Sequence, residues 1–219
     1  MGYNLNVLAA KRKPGRPSLS ENQKQEIRTN IIEIARELFV NEGYENTSMR
    51  KIAAQAGFAP TKIYYYFQNK KEILRHFWQD ISDELWRTCN PPKAIMNGES
   101  LDIIRHLMNQ NVRYWLNNPK SYQLGVATQD YRADDSENFD VYTANGTKQY
   151  IELMHKSVQD CIDKGLFVIS EKQMVSQIIA VSVYGIYGAF YGMPTVNWED
   201  REKLIHNSIE NTLRGLLVN

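Results

Sequence analysis

Residues 60–67, PTKIYYYF, carry side chains whose chemistry suits contact with DNA. If Ile63 and Phe67 point inward, the 100° steps of a helix turn hydroxyl, ammonium and aromatic groups outward. The outward residues are Thr61, Lys62 and Tyr65, and Tyr64 and Tyr66 lie on the flanks. Such groups hydrogen-bond phosphates or base edges, and a helix fits the major groove. The stretch therefore predicts a DNA-reading helix; the alternative is a surface turn with solvated tyrosines.

A second short helix precedes this one and is joined to it by a tight turn. Apolar residues recur at helical spacing through MRKIAAQA, and Thr47 or Ser48 is placed to cap the N-terminus. Gly57 supplies the left-handed conformation that ends this helix. Pro60 suits the first position of the next helix, where the missing N–H has no partner to lose. The two helices, the second spanning residues 60–67, have the pattern of a helix-turn-helix.

Two longer helices flank this pair. Ser20 and Gln23 form a capping-box pattern, followed by an apolar face that predicts a helix to about Asn41. Asn69 caps a fourth helix to about Trp86. Because short helices bury too little surface alone, the first three must pack together, and the fourth would link them to the rest of the chain.

The remaining chain also reads as helices, without an alternating strand pattern, so the predicted fold class is all-α. We expect a loop over 90–98 and helices over 99–117, 120–130, 137–164 and 171–192. A last helix would be capped by Asn197 and carry one apolar stripe. Since 171–192 has apolar residues around most of its circumference and glycines at 185 and 188, we expect burial nearly all round and close approach by another helix.

Composition bounds the class of protein. Of the 219 residues, 42% are hydrophobic, which is enough for a real core. No run of about 18 apolar residues and no secretory signal in residues 1–10 are found, so we expect a cytoplasmic protein with no membrane span. Cys89 and Cys161 are far apart, and the four histidines lack ligand spacing. We therefore expect no disulfide, no metal and no cofactor.

Charge is divided unevenly along the chain. Residues 1–70 contain 11 Lys and Arg against 6 Glu, a net charge of +5, and residues 71–219 contain 15 against 19 Asp and Glu, a net charge of −4. Neutralisation of phosphates supplies much of the affinity of proteins for DNA. The division therefore places a nucleic-acid surface in the first third of the chain.

The N-terminal stretch KRKPGRPSLS places basic residues around a Gly-Arg-Pro core. It resembles the AT-hook, whose arginine, here Arg16, would lie in the narrow minor groove of A·T-rich DNA. A solvated basic tail broken by prolines is the other interpretation, and both stay open.

Residues 25–77 resemble the N-terminal domain of the TetR family of transcriptional regulators. The resemblance lies in IIEIARELFVNEGYENTSM, RKIAAQAG and KIYYYFQNKKEIL. It implies a three-helix helix-turn-helix domain, followed by a larger helical domain that dimerises and usually binds a small effector. We accordingly divide the chain into a basic N-terminal arm (1–19), a DNA-binding domain (20–68) and a ligand-binding and dimerisation domain (69–219).

The resemblance also implies DNA contacts at particular positions of this sequence. They are Thr47, Ser48, Arg50, Pro60, Thr61, Lys62, Tyr64, Tyr65, Tyr66 and Lys70. Pro60 departs from the family pattern, in which the residue before Thr61 is often polar, and its base preference cannot be read. The last two helices resemble half of the family's dimeric four-helix bundle, although a purely intramolecular core would produce the same apolar faces.

Aromatic and polar residues of the second domain are numerous enough to line an apolar ligand pocket. The candidates are Trp78, Trp86, His106, Tyr114, Trp115, Tyr122, Tyr150, His155 and Tyr184, with Tyr187 beside them. For each of them, ordinary packing in a helical core is the alternative.

These observations predict a dimeric DNA-binding regulator, most simply a repressor released by a small-molecule effector from a pseudo-palindromic double-stranded operator. A regulator without a small-molecule effector is the first alternative. An all-α enzyme or lipid-binding protein is the second. The sequence has no Gly-rich phosphate loop, no Gly-x-Ser-x-Gly, no His-Glu-x-x-His and no Cys-x-x-Cys, so we expect no enzymatic activity.

Overall fold

The computed structural model describes residues 19–128 and 144–218, which form ten helices in these two ranges. Arg16 and the arm lie outside the described residues, as does the predicted helix start at residue 137. The helices are α1 Glu21–Glu42, α2 Met49–Gln55, α3 Pro60–Tyr66, α4 Lys70–Cys89, α5 Lys93–Met96, α6 Ser100–Asn117, α7 Pro119–Ala127, α8 Asn145–Asp163, α9 Lys172–Gly192 and α10 Arg201–Leu216. The predicted all-α class, with a helix-turn-helix ahead of a larger helical part, is confirmed.

Helix starts in the N-terminal part follow local capping chemistry. Ser20 and Gln23 form the predicted capping box, each side chain accepting from the other's backbone N–H. Ser48, rather than Thr47, caps α2, and its hydroxyl accepts from the backbone N–H of Lys51 at 3.1 Å. Asn69 caps α4 as predicted. These three ends are therefore determined by residues within one turn of sequence.

Two predicted boundaries are wrong. The last helix is capped by Asp200, whose carboxylate accepts from the backbone N–H of Lys203 at 2.9 Å, and not by Asn197. The Trp198 ring packs edge-on against Phe190, with centroids 5.2 Å apart, and holds the intervening chain on α9 instead of in a helix. The loop predicted over 90–98 contains the short helix α5, which starts directly after Pro92.

The N-terminal helices enclose a small core of their own. Phe39, Ile52, Ile63, Phe67 and Phe77 are each almost fully buried, and they come from α1, α2, α3, the residue after α3, and α4. Phe39 meets Phe77 edge-on at 5.9 Å between centroids. The core thus fixes α2 and α3 against the first turns of α4.

Behind this core, α4 packs against α6 and α8, while α6 also contacts α9 and α10. The backbones of α4 and α8 come closest at Ser82 and Gly146, where a Cβ on the glycine would overlap the Ser82 carbonyl. The backbone N–H and the hydroxyl of Thr147 lie 2.7 and 3.0 Å from the Ser82 Oγ. A second connection joins the two parts of the chain, because α1 packs against α7.

Helix α9 differs from its predicted environment. Its face with Val175, Ile179 and Val183 is buried against α6, α8 and α10, but the opposite face is not: Val181 is 71% exposed. Among the described residues, no atom lies within 4 Å of a Cβ built on Gly185 or Gly188. The described helices cover only one side of α9, so the expectation of burial nearly all round is wrong for the described part of a single chain. By length and composition alone α9 is apolar enough to cross a membrane, yet one side of it belongs to the protein core.

Candidate functional site

The turn between α2 and α3 sets the direction of the candidate DNA-reading helix. Gly57 has φ of 69° and donates its N–H to the carbonyl of Ala54 at 3.1 Å, and Phe58 donates to Ala53 at 2.8 Å. A left-handed residue with these hydrogen bonds reverses the chain immediately after α2. Pro60 then occupies the first turn of α3 as predicted.

The outer face of α3 presents phenol and ammonium groups to solvent. Tyr65 is 70% exposed and Tyr64 51% exposed, and Pro60 and Thr61 are also exposed. The Lys62 Nζ lies 3.7 Å from the centroid of the Phe58 ring, so a cation–π contact orients its stem. The face combines hydrogen-bonding and positively charged groups on a rigid helix, which is what contact with phosphates and base edges requires.

Two residues predicted as DNA contacts lie inside the domain. Thr47 is 1% exposed, and its hydroxyl donates to the carbonyl of Gly43 at 2.9 Å. Tyr66 is 8% exposed because it follows Ile63 by three residues and shares its inward face. Both side chains support the helix-turn-helix from within. Ser48 and Arg50 are exposed at the start of α2, on the surface as predicted.

Lys70, which was predicted as a DNA contact, also makes a contact within the protein. Its Nζ donates to the carbonyl of Tyr44 at 2.7 Å and lies 4.2 Å from the centroid of the Tyr44 ring. The ammonium therefore ties the start of α4 to the segment between α1 and α2.

Arg28 holds the end of the candidate reading helix, and the sequence analysis missed it. Its Nη1 donates to the carbonyl of Tyr66 at 2.9 Å, and its guanidinium carbon lies 4.4 Å from the centroid of the Phe67 ring. Its Nη2 lies 3.6 Å from the Glu72 carboxylate and hydrogen-bonds the His76 Nε2. Partners 38 to 48 residues away leave no local sequence signal. The contacts join α1, the end of α3 and α4.

The histidine in this cluster is kept neutral by its surroundings. Burial lowers the pKa of His76, and the adjacent Arg28 guanidinium lowers it further, while Asp80 and Glu72 act in the opposite direction. A neutral His76 has an Nε2 lone pair that accepts from Arg28.

A cavity of about 820 Å³ lies between α4, α6, α7, α8 and α9. Six of the predicted ligand residues line it: Trp78, Trp115, Tyr122, Tyr150, His155 and Tyr184. Tyr187, named beside them in the sequence, lines it as well. Three candidates lie elsewhere. The Tyr114 hydroxyl donates to the Ile81 carbonyl at 3.3 Å, His106 is half-buried on α6, and Trp86 is half-buried on another face of α4.

Several polar residues of the cavity wall were not predicted from the sequence. Asn111 follows Ile104, Leu107 and Met108 at helical spacing on the buried face of α6, and its side chain lies beside Tyr150 in the cavity wall. A lone amide in an apolar stripe is the signal that could have found it, because buried amides need partners. Gln173 and Gln177, exposed at the cavity mouth, carry no comparable signal.

Tyr150 and Tyr187 of the wall remain protonated. Burial raises the pKa of Tyr150 and of Tyr187, and the neighbouring Tyr184 adds to the rise at Tyr187. Their phenols therefore act as neutral hydroxyl groups at physiological pH.

The N-terminal part of the chain is similar to known regulatory proteins. The family model of bacterial regulatory proteins of the tetR family matches residues 31–77. The HTH-type transcriptional regulator AcrR of Shigella flexneri is 26% identical over 89 residues, which are 41% of this chain and 41% of that protein. The fatty acid metabolism regulator protein of Bacillus subtilis (strain 168) is 44% identical over 52 residues, 24% of this chain and 27% of that protein. The matches thus span less than half the length of either relative.

Similarity of fold extends over nearly the whole chain. A TetR family transcription regulator from Marinobacter aquaeolei VT8 superposes with a TM-score of 0.69 at 14% identity, covering 91% of this chain and 100% of that one. The architecture is therefore that of an all-α protein with an N-terminal helix-turn-helix. Residues 31–77 match the tetR family model, and the chain around them has the same fold as this solved regulator.

Proposed function

We propose that this protein is a cytoplasmic, non-enzymatic transcriptional regulator that binds a pseudo-palindromic DNA operator as a homodimer and leaves it when a small molecule binds. The observation that carries the proposal is the exposed face of α3, with Tyr64, Tyr65 and Lys62, in the part of the chain whose net charge is positive. The relatives' names support it, because one is a transcriptional regulator and the other a metabolism regulator protein.

In the proposed complex, α3 enters the major groove. Lys62, Thr61, Tyr64 and Tyr65 meet base edges and phosphates, and Ser48 and Arg50 at the start of α2 meet the backbone. Arg28 acts as a positioning residue, since it fixes the carbonyl at the end of α3 to α1 and α4. The arm is proposed to follow the minor groove through Arg16. Deletion of residues 1–17 should therefore lower the affinity for DNA most when the flanks of the half-sites are A·T-rich.

The proposed dimer is built on α9 and α10. Val181 and Tyr184 of α9 and Leu204 of α10 are exposed apolar or aromatic side chains. The open positions at Gly185 and Gly188 leave room for a helix of the partner subunit. A two-fold arrangement would present two copies of α3, which can enter successive major grooves if they lie about 34–36 Å apart.

Coupling between ligand and DNA would pass through α4 and α7. Helix α4 begins beside the Tyr44 carbonyl that Lys70 contacts and, two turns on, contributes Trp78 to the cavity. Helix α7 packs on α1 and contributes Tyr122 and Gly125 to the same cavity. A ligand that displaces either helix would change the separation of the two reading helices. This cavity favours a ligand-responsive regulator over one without an effector.

Sequencing of genomic fragments bound by the purified protein tests the proposal, because it yields the operator and its neighbouring genes together. We expect enriched fragments with a two-fold repeat whose half-sites are one helical turn apart. Fragments without a shared motif, or a protein that binds no DNA at low salt, would contradict the proposal.

A further inference from the structure

We propose that the cavity binds an uncharged, largely apolar ring compound that carries an oxygen acceptor, such as a ketone, ester or ether. The proposal concerns the chemical class of the ligand and rests on the effector role proposed above for this cavity. Its basis is the character of the wall, which has three aspects: charge, shape and hydrogen-bonding capacity.

The described part of the cavity wall contains no Lys, Arg, Asp or Glu. Its one group that titrates near neutrality is His155, and burial together with the nearby Lys172 lowers the pKa of that imidazole. An ionised ligand would lose its hydration without meeting a charged side chain of the described wall, because Lys172 acts on His155 from outside that wall. Because such desolvation is costly, the wall discriminates against both carboxylates and ammonium groups.

Aromatic rings form a continuous part of the wall. Tyr187 stands at its centre, with ring centroids 5.1 Å from Tyr184, 5.8 Å from Tyr122 and 6.0 Å from Trp115. Trp78 reaches the opposite side, where a Cβ on Gly125 would lie 3.3 Å from its indole ring. Flat ring surfaces pack against such walls by stacking and edge contacts. A volume of about 820 Å³ accommodates several rings, which is within the range of ligand pockets.

Hydroxyl donors stand within this apolar surface. The Tyr150 hydroxyl lies beside the Asn111 side chain in the wall, and the Tyr187 ring lies 5.1 Å from the Tyr184 ring. Phenols that stay protonated always have a proton to donate. Oxygen acceptors on the ligand therefore match the wall better than donors alone, and they orient the ligand.

Three biphenyls of nearly equal size test the charge preference on the full-length protein. They are 4-acetylbiphenyl, biphenyl-4-carboxylate and biphenyl-4-ylmethylammonium, with binding measured by equilibrium dialysis at neutral pH. We expect the ketone to bind at least about tenfold tighter than either ion. A carboxylate or an ammonium compound that binds as tightly as the ketone would overturn the proposal, as would failure of all three to bind.

The hydrogen-bond part is tested with a Tyr150→Phe/Tyr187→Phe double variant and unsubstituted biphenyl. We expect the double variant to lose about tenfold in affinity for 4-acetylbiphenyl and little for biphenyl, because only the ketone uses the hydroxyl groups. Tyr114→Phe serves as the matched control, because Tyr114 is not part of the cavity wall and its hydroxyl donates to the Ile81 carbonyl and the Glu84 carboxylate, both at 3.3 Å. Equal losses for both compounds would show that the hydroxyl groups do not contact the ligand.

The affinity for operator DNA, measured with and without 4-acetylbiphenyl, tests the proposed effector role separately from the proposed ligand class. Tight binding of the ketone with unchanged operator affinity would support the proposed ligand class and contradict the proposed effector role. Weak binding of the ketone by a protein that selects a specific operator would remove the ligand class alone.

Discussion

Tyr65 is the most exposed of the three tyrosines of α3, and its contribution to DNA recognition is expected to come from both ring and hydroxyl. We expect Tyr65→Ala to weaken operator binding by about 1–3 kcal/mol and Tyr65→Phe by less, since the ring edge is kept. Fluorescence anisotropy on operator DNA measures both. Lys62→Ala should behave like Tyr65→Ala, and Lys148→Ala on the exposed side of α8 is its control. Unchanged affinity in the Tyr65 and Lys62 variants would place the reading surface elsewhere.

His76 should make stability depend on pH in the acid range. Its folded pKa is below the ordinary value of 6.5, so the unfolded chain takes up a proton first as the pH falls. Stability contributed by neutral His76 is therefore full above pH 6.5 and is lost as the pH falls from there through the folded pKa. Urea unfolding at pH 7.5 and pH 5 should show a smaller loss for His76→Gln than for the native chain.

His106 and His155 have pKa values lowered in the same direction, so the native chain will lose stability through them too. The difference between His76→Gln and the native chain isolates the cluster of Arg28, Glu72, Asp80 and His76. Asp80 opposes the effect, because burial raises the pKa of its carboxyl. An identical pH dependence in both proteins would mean that the cluster does not hold His76 neutral.

At the scale of helices, the contact between α4 and α8 depends on the absence of a side chain at Gly146. We expect Gly146→Ala to destabilise the fold by about 1–3 kcal/mol, since its methyl group would overlap the Ser82 carbonyl and force the helices apart. Denaturant unfolding measures the change. Gly215→Ala is the matched control, because no described atom lies within 4 Å of its Cβ position and alanine favours a helix. Equal stability in the two variants would show that α4 and α8 tolerate separation.

The sequence predicted the local features of the fold but not the contacts between distant residues. Ser20, Gly57 and Asn69 were predictable because each acts within a turn of its own position. Gly146 and Arg28 were not, since their roles depend on residues many positions away that only the packed fold brings close. For the cavity, aromatic residue types pointed to six wall residues, but the same types at Trp86 and Tyr114 lie outside it, because composition does not reveal which face of a helix a cavity adjoins.

At the scale of the whole molecule, the exposed face of α9 predicts that assembly and DNA binding will be lost together. We expect Val181→Glu to give monomers by sedimentation equilibrium and to abolish specific operator binding, while helical content by circular dichroism is kept. Val168→Glu, at another exposed valine, is the control. Gly188→Leu should resemble Val181→Glu by steric bulk. A dimeric Val181→Glu protein with native operator affinity would place the interface on other helices.

The ligand and the operator should each weaken the binding of the other by the same factor. If the ligand favours a conformer whose reading helices are mismatched to successive grooves, operator DNA must weaken ligand binding as much as the ligand weakens operator binding. Calorimetric titration of the ligand with and without saturating operator measures this factor. Equal affinities would exclude the coupling, and tighter ligand binding on DNA would make the ligand a co-repressor.

The absence of charged side chains from the described part of the cavity wall also bears on how the proposed ligand would reach the protein. Molecules that suit such a wall pay little to leave water, and the same property lets them dissolve in and cross a lipid bilayer without a carrier. Their concentration inside the cell then follows the concentration outside within a short delay. If the proposed effector role holds, the regulator would report on the chemistry of the surroundings directly, and its response would be independent of whether the genes for any uptake system are expressed.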